Sequence, residues 1–220
     1  MNDPLWMSFP LLEPLPGFTH RFTLRHPTIP VDAERAEVVH RLTHWHHEQV
    51  QEMGFSPSDL CIAEQIHGKG VAVIRDAVST PIPQAEVIIS NTPGLVIGIY
   101  VADCGAIYLA DPVTGAYGVL HSGKKGSELG IVSEGLQLMH EHFGTLPEDV
   151  RVQLGPCIRP PAYEVDFAGQ IRESCLEAGV TPEHYADCGR CTSSDLTRYY
   201  SYRLEKGRTG RMLALLGRTI

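Results

Sequence analysis

From residue 60 to residue 121 the chain is a succession of short β-type runs, 60–66, 71–74, 86–90, 95–101, 106–110 and 116–121, each closed by turn residues. Runs this short and this closely spaced cannot be a helical bundle, so the middle of the chain must be sheet. Asp111-Pro-Val-Thr-Gly115 joins the last two and predicts that they are antiparallel neighbours. Helical periodicity lies outside this block. A helix is expected over 32–53, with Asp32 as its N-cap, Val39, Leu42, His46, Val50 and Met53 as its buried stripe, and Gly54 as its stop. A second is expected over 128–143, with Leu129, Val132, Leu136, Met139 and Phe143 inward, and a third over 166–178. The start of the second, with Lys124 and Lys125 just ahead, offers amides to an anion. Further strands are expected at 21–24, 150–154 and 211–216, and 196–204 is open between helix and strand. Strands grouped in the middle with helices between groups indicate the α+β class.

With 220 residues and 43% hydrophobic content the chain can bury one substantial core, which predicts one domain spanning 1–220. The formal charge is −8, and Lys and Arg cluster only at Lys124-Lys125 and among the C-terminal arginines, which argues against a nucleic-acid partner. Asp3 stands near the N-terminus and no Lys or Arg precedes Arg21, unlike a signal peptide, and the longest apolar run, 95–102, is far short of the ~20 residues that span a bilayer. A cytoplasmic protein with no membrane partner is expected. Six cysteines without a dense framework suit reduced thiols, and Cys188-Gly-Arg-Cys191 and Cys157 read as packing residues.

His67, Cys104 and His121 each stand at the end of a strand-like run, beside Gly68, Asp103, and Gly123 with Gly126. Two imidazoles and a thiolate make a good three-ligand zinc shell, and three protein ligands leave a fourth position for water or substrate, as in a catalytic site. Their spacings match no short zinc finger, so the fold must assemble them. The same residues also suit a thiol hydrolase or amidase, with Cys104 as nucleophile and His121 or His67 as its base. His40, His44 and His47 share a helical face that reads as a solvated surface. Copper is the weaker metal choice, because a copper oxidase needs many repeated His-x-His pairs, and His44-Trp-His46 lies inside a helix that already has a packing explanation.

The ordered motifs Gln65-Ile-His-Gly68, Val101-Ala-Asp-Cys104, His121-Ser-Gly-Lys-Lys-Gly126, Gly155-Pro-Cys-Ile158 with Tyr163-Glu-Val165, and Ser201-Tyr-Arg203 with Thr209-Gly-Arg211 resemble the YfiH/YlmD-like family, from about Gly17 to the C-terminus. That family is also labelled multicopper polyphenol oxidoreductase or laccase domain, and peptidoglycan editing factor. The resemblance implies a single-domain α/β/β/α-type sandwich with mixed β-sheets and zinc held at His67, Cys104 and His121. It implies purine nucleoside phosphorylase activity with some adenosine deaminase activity, or action on a peptidoglycan precursor. Phosphate would attack C1′ of the nucleoside, and deamination would use a metal-activated water. Cys104, His121, Asp103 and Gln65 would be catalytic, Lys124, Lys125, Arg203 and Tyr163 would bind nucleoside and phosphate, and the protein would be a monomer or small homo-oligomer.

The chain departs from the family where His-Ala-Gly-Trp-Arg-Gly becomes His121-Ser-Gly-Lys-Lys-Gly126. Lys124 replaces an aromatic stacking surface, and Lys125 replaces a bidentate fork with a point charge. Glu86 stands for the usual Asp, Val101 for Thr, Arg159 for Gly and Leu204 for Arg. A zinc-containing binding protein without turnover is the corresponding alternative. For Gln65, Asp103 and Arg203 purely structural roles compete: bridging strands, capping a turn, and pairing with Glu164.

Overall fold

Along residues 106–110 the side chains of Ala106, Tyr108 and Ala110 enter one apolar layer and those of Ile107 and Leu109 enter another. Because successive strand side chains point to opposite faces, a strand covered on both faces must be apolar at every position. The same alternation recurs at 96–101, where Ile97, Ile99 and Val101 face the layer of Ala106 while Val96 and Tyr100 face a third.

The computed structural model describes residues 4–220, so Asp3 lies outside the described residues. In chain order the elements are β1 (Trp6–Met7), β2 (Phe18–Thr23), α1 (Arg35–Glu52), β3 (Leu60–Ile62), β4 (Gly70–Val73), β5 (Ala85–Ser90), β6 (Val96–Val101), β7 (Gly105–Ala110), β8 (Tyr117–Ser122), α2 (Lys124–Glu128), α3 (Ile131–Phe143), β9 (Arg151–Leu154), α4 (Phe167–Glu177), β10 (Tyr185–Asp187) and β11 (Met212–Arg218). A five-stranded sheet runs β1-β2-β11-β6-β3 and a six-stranded sheet runs β10-β9-β7-β8-β5-β4. Both are mixed: β3 is parallel to β6, β4 to β5 and β10 to β9, and the other pairs are antiparallel.

Three apolar layers hold these elements together. Phe22, Tyr108, Tyr117 and Ala214 lie in the layer shared by the two sheets, Val50, Met53, Leu213 and Leu215 join the end of α1 to the first sheet, and Leu120, Leu136, Met139 and Ile171 join α3 and α4 to the second. This is the α/β/β/α sandwich with mixed sheets. The 111–115 turn closes the β7–β8 hairpin: Gly115 takes φ +74°, and the Asp111 carboxylate accepts from the amides of Val113 and Thr114. Gly54, at φ +92°, follows α1 as expected. No helix among the described residues is long and apolar enough to cross a membrane.

Several boundaries differ from the sequence reading. Helix α1 starts at Arg35 with Glu34 as N-cap, because the Asp32 carboxylate is drawn 2.6 Å from Nε of Arg208. Val38 and Trp45 join its buried face, while Val39 is only half-buried. The helix expected from residue 128 is two pieces: Gly130 takes a left-handed φ of +69° between α2 and α3, and Leu129 is turned to solvent. The run 60–66 stops at Ile62, and 196–204 forms turns.

Candidate metal centre

Strand register builds this site. In the second sheet Leu120 of β8 pairs with Val87 of β5, which sets His121 beside Glu86, and on its other side His121 pairs with Ala106 of β7. Cys104 sits in the break between β6 and β7, one residue before the strand that flanks His121. His67 comes from the loop after β3, where Gln65 and His67 take φ of 62° and 60°, a region side-chain-bearing residues rarely occupy. That loop is clamped. The Gln65 side chain donates from Nε2 to the Tyr100 carbonyl at 2.6 Å and accepts the Tyr100 amide at 2.9 Å, while Arg35 donates to the carbonyls of Glu64 and Gln65.

One donor atom from each of His67, Cys104 and His121 lies within 4.8 Å of the others. The two imidazole rings meet edge to face, with centroids 5.1 Å apart. His121 Nδ1 is 2.7 Å from Glu86 Oε2, so Nε2 is the nitrogen left for the cluster, and Glu86 Oε1 accepts the Gly68 amide at 3.0 Å. One buried carboxylate thus orients His121 and ties down the segment carrying His67. A carboxylate on the outer nitrogen of a ligating imidazole is the usual outer partner of a metal site. The donor set, its spacing and this partner fit a divalent transition metal such as zinc.

The electrostatics favour a thiolate at Cys104. Burial by itself raises the Cys104 thiol, but hydrogen bonds and charge from His121 and then His67 outweigh it and bring the pKa down to about 6. Burial lowers His121, yet Cys104 first and Glu86 second lift it to about 9. For Glu86, burial acts upward and is overcome by the hydrogen bond and charge of His121, the Gly68 amide and the charge of His67, so its carboxyl stays below the usual range. Gly123 lets the backbone pass close to the thiol, since a Cβ there would lie 2.7 Å from Cys104 Sγ. Replacing Glu86 by Gln should weaken zinc affinity about 10- to 100-fold while leaving the fold intact, checked by competition with a chromophoric chelator. An unchanged affinity would contradict the orienting role.

Two cavities, about 670 Å³ and about 430 Å³, meet at the cluster. Tyr163 and Lys124 line both, whereas Lys125 lines only the smaller. Gln65 and Asp103 line the larger, but their polar atoms are engaged in the fold: Asp103 accepts from Thr192 Oγ1 and from the Arg203 amide, each at 2.7 Å, and so anchors the loop that presents Cys104. Arg203 pairs with Glu164 at 3.0 Å and its guanidinium stands 4.8 Å from the Tyr163 ring centroid. The amides that open α3 line neither cavity, which corrects the anion site expected there. Among the described residues no second metal-type cluster forms, so His40, His44 and His47 do not converge. His44 is exposed beside Glu48 while His46 is buried against Trp45 and Tyr100, which separates that His-x-His pair. All six cysteines are free, and burial pushes the Cys157 thiol up.

Sequence reasoning gave Glu86 no role beyond a departure from the family pattern. A carboxylate inside an otherwise apolar strand was the available signal. Arg35 was passed over, and Arg211 was noted only as part of a motif.

Comparison with known proteins bears on the family and the fold. The family model described as multi-copper polyphenol oxidoreductase laccase matches residues 35–170 and 165–219. A Geobacillus stearothermophilus protein named purine nucleoside phosphorylase YlmD is 27% identical, covering 86% of this chain and 81% of the relative. A Deinococcus radiodurans protein named purine nucleoside phosphorylase is 31% identical over 75% of this chain and 72% of its own length. The crystal structure of YlmD from Geobacillus stearothermophilus superposes with a TM-score of 0.87 at 24% identity, over 100% of this chain and 98% of that one. With the model match spanning most of the sequence and the sandwich reproduced, the chain belongs to the multi-copper polyphenol oxidoreductase laccase family, the YfiH/YlmD-like proteins.

Proposed function

We propose that the protein is a zinc-dependent purine nucleoside phosphorylase, cleaving adenosine or inosine with phosphate, with adenosine deamination as a second activity of the same centre. The observation that carries this reading is the convergence of His67, Cys104 and His121 where two cavities meet, beside relatives named for that reaction. A bound zinc would supply a Lewis acid at the reacting group. The protein's residues do the rest. Glu86 keeps the proton of His121 on Nδ1, Gln65 and Asp103 hold the loops of His67 and Cys104 in place, and Lys124 and Tyr163 reach a ligand in either cavity. Phosphate adds to C1′, the bond from C1′ to the base breaks, and the electron pair leaves with the purine. Cationic side chains that steady the phosphate and the departing base lower the barrier. The Lys124-Lys125 pair gives a less directional grip than the family's Trp-Arg.

A second reading takes its support from the contact of Cys104 with both imidazoles, which also suits a thiol nucleophile with a His base, acting on an amide or a peptidoglycan precursor. Elemental analysis combined with release of hypoxanthine or adenine, with and without phosphate, separates the readings. About one zinc per chain and phosphate-dependent release that a chelator abolishes support the phosphorylase. Full turnover of an amide substrate by metal-free protein, lost on alkylation of Cys104, supports the thiol scheme. Nucleoside binding without base release marks a binding protein, and stoichiometric copper with a blue spectrum marks an oxidase.

A further inference from the structure

The wall of the larger cavity carries Arg35, Lys124, Arg203, Lys206, Arg208 and Arg211 against only two carboxylates, Glu34 and Asp103, in a chain whose formal charge is −8. These cations are not equivalent. Arg203 is paired with Glu164, and Arg208 with Asp32 and Glu34. Lys124 and Lys206 are flexible point charges. Arg35 and Arg211 are planar forks, and neither has a carboxylate within ion-pair distance among the described residues.

Arg211 is 8% exposed, and its only hydrogen bonds run from Nη1 to the carbonyls of Thr209 and Gly210, at 2.8 Å each. Its Nε and Nη2 have no protein acceptor among the described residues, yet they are not sealed from solvent, so they open onto the cavity. Arg35 donates only to neutral oxygens, the carbonyls of Glu64 and Gln65 and the Gln65 side-chain oxygen, which leaves its charge unneutralised. Burial first and the charge of Arg35 second disfavour the charged form of Arg211. The charge of Asp103 opposes this from a distance, but a buried cation with a like-charged neighbour and no carboxylate in contact is costly, and a bound anion relieves that cost. Beside the pair stands the half-exposed ring of Tyr202, 5.8 Å from the Arg211 guanidinium and backed by Gly207.

We propose that Arg35 and Arg211 form a phosphoryl-oxyanion subsite on the cavity wall, with Tyr202 as the adjoining aromatic surface for the rest of the ligand. This deepens the proposed function, because it rests on the same cavity being the substrate site, and it moves the principal anion grip from Lys124, Lys125 and Arg203 to two residues outside that set. Guanidinium forks bind phosphoryl oxygens bidentately, which suits both inorganic phosphate and a phosphate ester.

The test is titration calorimetry of the zinc-loaded full chain at fixed ionic strength, with inorganic phosphate and, separately, adenosine 5′-monophosphate. The wild type is compared with R35Q and with R211K, and the unliganded melting temperature monitors the fold of each variant. At least one of the two anions is expected to bind the wild type and to lose about tenfold or more in R35Q. If inorganic phosphate shows that loss, the subsite serves the phosphate of phosphorolysis. If only the monophosphate does, the subsite stands as an ester site and the phosphorylase reading loses its nucleophile. Binding of neither anion beyond a chloride control, or a loss in R35Q smaller than tenfold, overturns the proposal, even where R211K fails to fold.

Discussion

If the protein is the zinc-dependent phosphorylase proposed above, the Cys104→Ser variant is expected to purify with less than a tenth of an equivalent of zinc and to lose phosphorolysis by about 10³-fold or more. A hydroxyl is a poor substitute for a thiolate at a site with only three protein ligands, and the two imidazoles left would hold the metal weakly. A catalytic metal contributes several kcal/mol to transition-state stabilisation, and each 1.36 kcal/mol is a factor of ten in rate. His67→Ala should behave the same way, although His67 is exposed and Cys104 is not, because both supply a donor atom to the same point. Mass spectrometry under native conditions and base release from inosine measure the two effects together. Stoichiometric zinc and retained turnover in Cys104→Ser would show that the thiol is a bystander. The metal site could then survive only with a different ligand.

Acid should unfold the protein over an unusually mild range. Burial lowers His20 to about 4, against a partial opposing pull from Glu13, and its Nε2 accepts the Phe9 amide at 2.7 Å, a bond that protonation would destroy. Burial lowers His46 to about 3, with the charges of His47 and His26 acting the same way. Each imidazole is therefore neutral in the fold and takes up a proton in the unfolded chain below about pH 6.5. The unfolded state binds the extra proton, so stability is complete above that value and falls as the pH drops toward 4. At about 1.4 kcal/mol per pH unit per group, lowering the pH from 7 to 5 costs about 2 kcal/mol for each His and about 4 kcal/mol together, a large share of a typical 5–15 kcal/mol.

Urea unfolding at the two pH values measures this loss. His46→Phe isolates one share of it. His46 Nε2 has no hydrogen-bond partner, so Phe removes an unsatisfied buried polar atom as well as the proton site. The variant should lose about 2 kcal/mol less than the wild type between pH 7 and 5. Parallel pH profiles for the two proteins would refute the assignment.

How much of this was readable beforehand differs from element to element. The hairpin at 111–115 was legible because Asp111 and Gly115 carry their turn chemistry locally, and α4 was legible because Asp166 caps it by accepting the Gly169 amide. The single helix drawn from residue 128 was wrong because side-chain periodicity says nothing about backbone at Gly130, whose left-handed turn breaks it. The stop at Ile62 was missed because Gln65 and His67 occupy positive φ only through clamps from Tyr100 and Arg35, residues distant along the chain.

Local patterns alone determined that the chain builds sheet between helices, that its last two middle strands form a hairpin, and that His67, Cys104 and His121 stand where strands end. Those properties depend on side-chain alternation, turn residues and apolar content, which are written in neighbouring positions. Only the tertiary structure decided that the three donors meet within 4.8 Å, that Glu86 is the carboxylate behind His121, and that Arg35 and Arg211 reach one cavity with no carboxylate in ion-pair contact among the described residues. Each of these is a relation between strands and loops far apart in sequence. It is set by inter-strand register and by the packing of loops over the sheet edge, which no local spacing encodes.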